Sequence, residues 1–584
     1  MPNGKKRPLP IKVRTRAEQN IETVERYERL AYMSSDTNVS KSGLAKLVQN
    51  IRDHGIPVAS SRATQYRARK KLCRQMTPYG PLVTEIETVA TTNGQPINIP
   101  IQNPFAALFL AASKSEDFAR VMRRALDVNP CSHDHPWRIM LYQDGVDPSD
   151  GLAKNHSRKS NVFYWSFLEL GMDALCHEEC WFTITLARYN TSMMLDGGIT
   201  QLTSILMDSL FSPTADGNNM KTKGCTLTIH GEEFVIFADL GAIVSDEPAI
   251  KEMLACTGHA GTKPCVLCTN GVLHKQPRSD VGLWESNDWL TSIAEPDLAR
   301  FKPHTNESIR RAVEKIAVLH RTLNKTQFKI KRAIYGFGFS PFNIITRCFV
   351  NVVSCLMYDW VHTFVCDGNA DSEFGMCMKT LHTAKSATTY TEVRDYLNSW
   401  RFPKVYGIGI DRLFSDTASH NNLKKGAFGS TASEFLTIAP VLLVYFVRVC
   451  SQRHASNPDL LKYVLSMIAV LEIVLLCNAI KFGSTTSDEL HAAITAHFQL
   501  FVDAYGRDKA KPKHHYGLHL GRMLAWFGVL VGTLTHERKH RVIKRNTRNR
   551  DNLRNWNLGS LEEVTVHQLF EFGRQLLHTG DYNY

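Results

Sequence analysis

The sequence predicts a mixed α+β protein: an α/β core interrupted by a large all-helical insertion, with a small helical region before it. Three observations carry that expectation. Between residues 137 and 246, runs rich in aromatic and β-branched residues alternate with polar, turn-forming segments, as strands do. From about 300 to 500 the apolar residues instead recur mostly at helical spacing. The chain has 584 residues, 43% of them hydrophobic, which is enough for several domains or one core carrying large insertions.

The elements follow in order. Residues 1–39 are basic and polar, and we expect a flexible N-terminus. "MPNGKKRPLPIKVRTR" lacks the apolar run of a signal peptide, and its "KKRP" fits a nuclear import signal. The 14 cysteines are scattered rather than set in a compact disulfide framework, so a reducing compartment is expected, the nucleus in particular. Residues 40–130 read as helical. Within them, 40–73 give two helices around a Gly-Ile-Pro turn. Ser40 or Ser42 caps the first, which carries Leu44, Leu47, Val48 and Ile51 on one face. The second starts near Ser60 and carries Arg62, Arg67, Arg69, Lys70 and Lys71. A helix-turn-helix with a basic second helix suits a DNA major groove; an amphipathic hairpin with a solvated basic face is the plainer alternative. Residues 104–129 read as a further helical stretch.

Residues 131–270 form the first part of the core. Strands are expected at 137–147, 161–170 and 180–188, and a helix at 197–211. Further strands follow over 225–246, with a hairpin at His230-Gly231. A helix then covers 247–256, with Pro248 in its first turn. Residues 271–510 form the all-helical insertion. Its two most apolar stretches, 434–450 and 462–481, read as buried helices. The first is short and holds a proline; the second carries Glu472 near its middle, and about 18 clean apolar residues are needed for a span. Trp360 and Trp400 read as core residues. Residues 511–584 start His-rich and turn strongly basic. The whole chain has a net charge of +13, which favours an anionic partner, most commonly nucleic acid, and no membrane.

Two constellations carry chemistry. "TGHAGTKPCVLCTNG" holds Cys265 and Cys268, whose thiolates can share one metal ion, and a structural zinc site wants four ligands. "KPKHHYGLHL" offers the other two. His514 and His519 lie five apart; His515 and His519 lie four apart and share a helix face more squarely. Either pair closes a Cys2His2 set across roughly 250 residues, a long loop whose neck zinc would clamp. The second constellation is acidic. Asp144 ends "IMLYQD", Asp246 ends "LGAIVSD", and Glu537 begins the basic helix of "THERKHRVIKR". Two aspartates and a glutamate meeting at one point are what two Mg2+ or Mn2+ ions need for phosphodiester chemistry. Each also has an ordinary reading: a turn at Asp144-Gly145, a helix cap at Asp246, an arginine partner for Glu537.

Taken together, "LYQDGVD", "SDEPAIKEMLACTGHAGTKPCVLCTN", "YDWVHTF" and "KPKHHYGLHL…GVLVGTLTHERKHRVIK" resemble the catalytic core of DDE transposases with an all-helical insertion. The likeness is nearest to the CACTA and Kyakuja–Dileera–Zisupton groups, and more distant to Transib and the V(D)J recombinase catalytic subunit. It spans about 135 to 555. The resemblance implies an RNase H-like core, with Asp144, Asp246 and Glu537 as ligands of catalytic Mg2+ or Mn2+. It implies that Cys265, Cys268, His514 and His519 hold a structural Zn2+ at the neck of the insertion. It also implies cut-and-paste transposition of double-stranded DNA by a homodimer or larger synaptic assembly. An inactive DNA-binding derivative and an RNase H-like nuclease without strand transfer are the alternatives. Asp147 competes with Asp144, and Asp239 with Asp246; the step of 19 residues to Cys265 and the "EPA" helix favour Asp246. Asp359 and His362 match a recurrent Asp-x-x-His without an assigned role. Arg538, Lys539, Arg541, Lys544, Arg545, Arg548 and Arg550 are expected to bind phosphates beside the acidic site.

Overall fold

The computed structural model describes residues 41–55, 61–148, 158–214, 217–258, 261–273, 290–347, 349–403, 409–547 and 555–572. The basic N-terminus, Arg548 and Arg550 lie outside these residues. The chain divides into two compact units, residues 1–70 and 71–584.

The first unit contains the helix Lys41–His54 and the start of a second, Arg62–Cys73, as the sequence predicts. Leu44 is buried, Val48 and Ile51 half-buried, but Leu47 is 46% exposed. Of the basic side chains on the second helix, Arg67 and Lys71 are exposed and Arg69 and Lys70 half-buried.

The second unit opens with a correction. Residues 40–130 are not all helical: Val83–Thr88 and Ile97–Gln102 pair as antiparallel strands. Half-buried, β-branched Thr84, Ile86 and Thr88 alternate with exposed Glu85 and Glu87, which is the period of a strand exposed on one face. The helical stretch that follows is two helices. Asn103 caps Pro104–Lys114 through the Phe105 and Ala106 N–H groups, and Ser115 ends that helix and caps Glu116–Val128. A serine oxygen satisfies a free helix-end N–H, so the chain can turn there at little cost.

At the centre is a five-stranded mixed sheet. Its strands are β1 (Trp137–Val146), β2 (Ser160–Phe167), β3 (Phe182–Arg188), β4 (Ala238–Ser245) and β5 (Leu356–Tyr358), in the order β5-β4-β1-β2-β3. β1, β2 and β3 form an antiparallel meander. β4 runs parallel to β1, and β5 parallel to β4. β2 is buried along its whole length. A strand covered on both faces is mostly apolar, as "VFYW" is, and buried Ser160, Asn161 and Ser166 are each satisfied by a hydrogen bond. The hairpin Cys225–Ile229/Glu232–Ile236 turns at His230-Gly231, both with positive φ (49° and 83°), the conformation a two-residue hairpin turn demands. Helix α1 (Glu247–Met253) leaves the end of β4.

Most of the chain between 300 and 505 is helical. Among the described residues, strand pairing also enters the stretch read as all-helical: β5 with β4, and Gly271–Val272 with Thr291–Ser292. The helices Ala432–Arg453 and Pro458–Phe482 are long and apolar enough to cross a membrane by length and composition. In the fold, Pro458–Ala479 packs against Ser487–Tyr505, Asn369–Thr383 and Ala432–Tyr445, with Glu472 on its exposed side. Trp360 is buried, but Trp400, read as core, is 44% exposed.

Candidate metal centres

Parallel pairing sets the acidic site. Tyr142 on β1 lies opposite Val244 on β4. One residue on, the Gln143 N–H donates to Ser245 Oγ (2.9 Å), and that hydroxyl donates back to the Gln143 carbonyl (2.7 Å). Asp144 and Asp246 therefore emerge side by side. Ser245 in turn pairs with Tyr358, so Asp359 leaves the next strand at the same edge. Asp239 starts β4 opposite Arg138 and pairs with Lys221 at 2.9 Å. It belongs to the other end of the sheet, and Asp246 is the second carboxylate of this edge.

The third carboxylate comes from helix α5 (Leu534–Thr547), which lies after α3 (Pro512–Leu518) and α4 (Leu520–Phe527). One ligand atom each from Asp144, Glu537 and His540 lie within 4.8 Å of one another. The Tyr142 hydroxyl donates to Asp144 Oδ2 (3.0 Å), and the Gly145 N–H to Oδ1 (2.6 Å). Asp246 accepts the Ala249 N–H at 2.9 Å and so also caps α1. Burial, and then the charge of Asp144, push its carboxyl up to about 6. Glu537 moves the other way: the His540 imidazole holds it below the usual carboxylate range, against the effect of burial.

Asp359 and His362 acquire a structural role. Buried Asp359 caps α2 (Trp360–Phe364) through the Val361 and His362 N–H groups. It also accepts Thr533 N–H (3.2 Å), Thr533 Oγ1–H (2.7 Å) and His362 Nδ1–H (2.5 Å). Burial lowers the His362 imidazole, but the Asp359 carboxylate outweighs it and pushes it up to about 11. Thr533 carries the carbonyl that receives the Glu537 N–H at 3.0 Å. An ion pair between buried Asp359 and half-buried His362 thus fixes the first turn of the helix that carries Glu537, with the carboxylate satisfied by several donors.

Helix α5 sorts its basic residues between two faces. Glu537, Arg538, Arg541, Lys544 and Arg545 are exposed. Arg538 donates to the Cys176 carbonyl (2.6 Å) and lies 3.4 Å from a Glu178 carboxylate oxygen. Arg545 lies 3.2 Å from His567 Nε2. Lys539, expected to bind phosphate, is instead buried: its ammonium donates to the Glu178 carbonyl (2.9 Å) and sits 5.5 Å from the Tyr164 ring centre. Burial lowers it to about 8. It falls on the inward stripe with His536, His540, Ile543 and Thr547, spaced at three and four residues as one helix face must be. The His536 ring stacks on Tyr142 (3.8 Å between centres, 9°) and meets Trp181 edge-on.

The second site is closed. Cys265 Sγ lies 3.4 Å from His519 Nε2, and Cys268 Sγ lies 3.5 Å from both His515 Nε2 and His519 Nε2. The two imidazole nitrogens are 3.3 Å apart. All four residues are buried. A tetrahedron with zinc-like bonds has S···N edges of about 3.6 Å and N···N edges of about 3.3 Å, so the set fits that ion. His515 takes the place expected of His514. On a helix of 3.6 residues per turn, positions 515 and 519 lie about 40° apart, whereas 514 and 519 lie about 140° apart. His514 turns away, accepts the Lys511 N–H at 3.1 Å and packs on Phe501 and Phe498.

The two sites are joined. Tyr516, next to His515, lies 2.7 Å from Glu247 Oε1 and 3.0 Å from the Pro264 carbonyl. Lys251 pairs with the same Glu247 and is itself buried. Glu247 follows Asp246, so the helix bearing the zinc-type histidines holds the helix that Asp246 caps.

No family model matches this chain, and no curated protein matches it. Its chemistry is therefore read from the donor sets themselves. His540 was missed in the sequence, although Glu537-x-x-His540 is an i, i+3 pair that a helix brings to one side.

Proposed function

We propose that this protein is a DDE-type DNA transposase: a metal-dependent enzyme that hydrolyses a phosphodiester at a transposon end and joins that end to target DNA. The observation that carries the reading is the approach of Asp144 and Glu537 at one edge of the sheet, where Asp246 leaves the neighbouring strand beside Asp144. They come from residues far apart in sequence, with Asp144 and Glu537 atoms inside 4.8 Å. A mixed sheet with carboxylates at its strand ends is what an RNase H-like core requires. The helical stretch between Cys268 and His515 is then the insertion, with Zn2+ on Cys265, Cys268, His515 and His519 at its neck.

Asp144, Asp246 and Glu537 would hold divalent ions, and their oxygen donors suit Mg2+ or Mn2+. Bound there, such ions would supply the positive charge that acidifies the attacking group and offsets charge on the leaving oxygen. The protein's own part is placement. Tyr142 orients Asp144, the Asp246 cap fixes that carboxyl to α1, and the Asp359–His362 pair fixes the Glu537 turn. Arg541, Lys544 and Arg545 lie exposed on the Glu537 side of α5 and would bind phosphates without reading sequence. In the first step a water oxygen bonds to phosphorus and the bond to the 3′ oxygen breaks, freeing a 3′-hydroxyl. In the second that hydroxyl bonds to a target phosphorus and the target's own 3′ oxygen leaves. Neither step needs a covalent enzyme intermediate. The helices of residues 41–73 would choose the DNA end, in a homodimer or larger assembly acting in the nucleus.

The test is nicking of supercoiled plasmid in Mn2+ at low salt, wild type beside Glu537→Gln, followed by joining of pre-cut ends to a second plasmid. Nicking and joining by wild type alone, with DNA binding equal in both, is the expected result. Wild-type binding to native element ends without any cleavage would overturn the reading. Cleavage without joining would make the protein a nuclease.

A further inference from the structure

We infer that His540 is a ligand of the cation held by Asp144 and Glu537, making this a mixed nitrogen–oxygen site that selects Mn2+ over Mg2+. The inference deepens the transposase reading and rests on its assignment of Asp144 and Glu537 as cation ligands.

His540 is 3% exposed and sits against the half-buried Asp144 carboxylate and the exposed carboxylate of Glu537. Its Nδ1 stands 3.9 Å from Asp144 Oδ2 and 3.7 Å from Glu537 Oε2. Both separations are too long for hydrogen bonds. They suit donors that share an ion at about 2.1–2.2 Å each, whose edges run from about 3.0 Å upward. The other ring nitrogen, Nε2, has no hydrogen-bond partner among the described residues. Nδ1 is therefore the nitrogen that meets polar groups, and both groups are carboxylate oxygens.

The setting holds the ring in place. Tyr142 and Tyr164 lie beside it, with ring centres 6.2 and 5.8 Å away. Tyr142 also bonds Asp144, so one residue positions two of the three donors. His536, one turn earlier, is a useful contrast. It too is buried, and among the described residues its nitrogens have no hydrogen-bond partner, but it is stacked on Tyr142 and packed on Trp181. Packing accounts for His536, and the facing carboxylates set His540 apart.

Ligand chemistry sets the ion. Mg2+ takes oxygen donors and keeps its waters, whereas an imidazole suits the transition metals and is tolerated by Mn2+. The experiment uses the full chain loaded with zinc, so that His515 and His519 are occupied. Mn2+ binding is followed by electron paramagnetic resonance of the free ion, and nitrogen coupling to bound Mn2+ by the pulsed form of the method. Mg2+ competes in parallel. Wild type should show nitrogen coupling and bind Mn2+ at least ~10-fold more tightly than Mg2+. His540→Ala should lose the coupling and weaken Mn2+ by ~10-fold or more, with a smaller change for Mg2+. His540→Phe keeps an aromatic ring against Tyr142 and Tyr164 and should behave as His540→Ala does, which separates lost ligation from lost folding. Bound Mn2+ without nitrogen coupling in wild type, or coupling that survives in His540→Phe, overturns the inference. Coupling that depends on His540 in a protein that never cleaves DNA leaves the ligand assignment standing and overturns the transposase reading instead.

Discussion

The two donor sets of this chain are opposites. Cys265, Cys268, His515 and His519 are all buried and offer two thiolates and two imidazole nitrogens within 4.8 Å of one another, both histidines 3.4–3.5 Å from a cysteine sulfur. Asp144, Glu537 and His540 mix hard oxygens with one nitrogen, and Glu537 is half-exposed at 49%. A complete, buried set leaves no position for a substrate and serves the fold; an incomplete, open one leaves room for a reacting group. Their surroundings differ in the same sense. The closed set is braced by Tyr516, Glu247 and Lys251. The open set keeps Asp246 as a carboxyl that the fold raises to about 6, an unfavourable charge tolerated where a cation would relieve it.

The comparison can be broken at several points. The largest effect should come from the closed set. Cys268→Ser or His515→Ala should abolish zinc retention, measured as metal per chain, and destabilise the protein by several kcal/mol in thermal melts; zinc ligation contributes about 10 kcal/mol or more in small domains. His514→Ala should keep the zinc. Next is the open set: Asp144→Asn or Glu537→Gln should lower plasmid nicking by ~100-fold or more while shifting thermal stability by less than about 1 kcal/mol.

Asp246→Asn sharpens the contrast, because it should stabilise the metal-free protein while removing activity. The folded carboxyl titrates near 6, above its unfolded value of about 3.9. The folded state therefore holds the extra proton between those values, and stability falls as pH rises through that window. Above about pH 6 the penalty is fully present, and the neutral amide, still a good helix cap, should recover about 1–3 kcal/mol. At pH 4 the gain should vanish in denaturant melts. The smallest effect concerns the exposed face of α5. Arg541→Ala should weaken DNA binding modestly and reduce the slope of log affinity against log salt by about 1, whereas Lys539→Met should change stability and leave that slope alone.

Much of this was legible. The strands 137–146, 160–167 and 182–188 announced themselves because a buried strand is mostly apolar, and Asp144 and Asp246 stood out as charges where such runs end. The turn at His230-Gly231 and the cap at Asp246 were likewise readable from local chemistry. The pair Val83–Thr88 and Ile97–Gln102 was not, since Glu85 and Glu87 dilute its apolar signal on the outward face. β5 has three residues, too few to show a period, and it becomes a strand only because β4 offers it an edge. Lys539 was read as a surface cation because charge hid the inward stripe His536, His540, Ile543 and Thr547 on which it lies. The choice between His514 and His515 turned on helix angle, which the sequence contains but which only a settled helix start makes usable.

Anomalous diffraction from crystals of the zinc-grown protein soaked in Mn2+ tests the contrast directly, with data collected at the zinc and manganese edges. The two sites predict a zinc peak enclosed by Cys265, Cys268, His515 and His519. They predict a manganese peak among Asp144, Asp246, Glu537 and His540, and no exchange between the two. A cysteine–histidine set without zinc, or a carboxylate edge that stays empty at saturating Mn2+, would contradict the account.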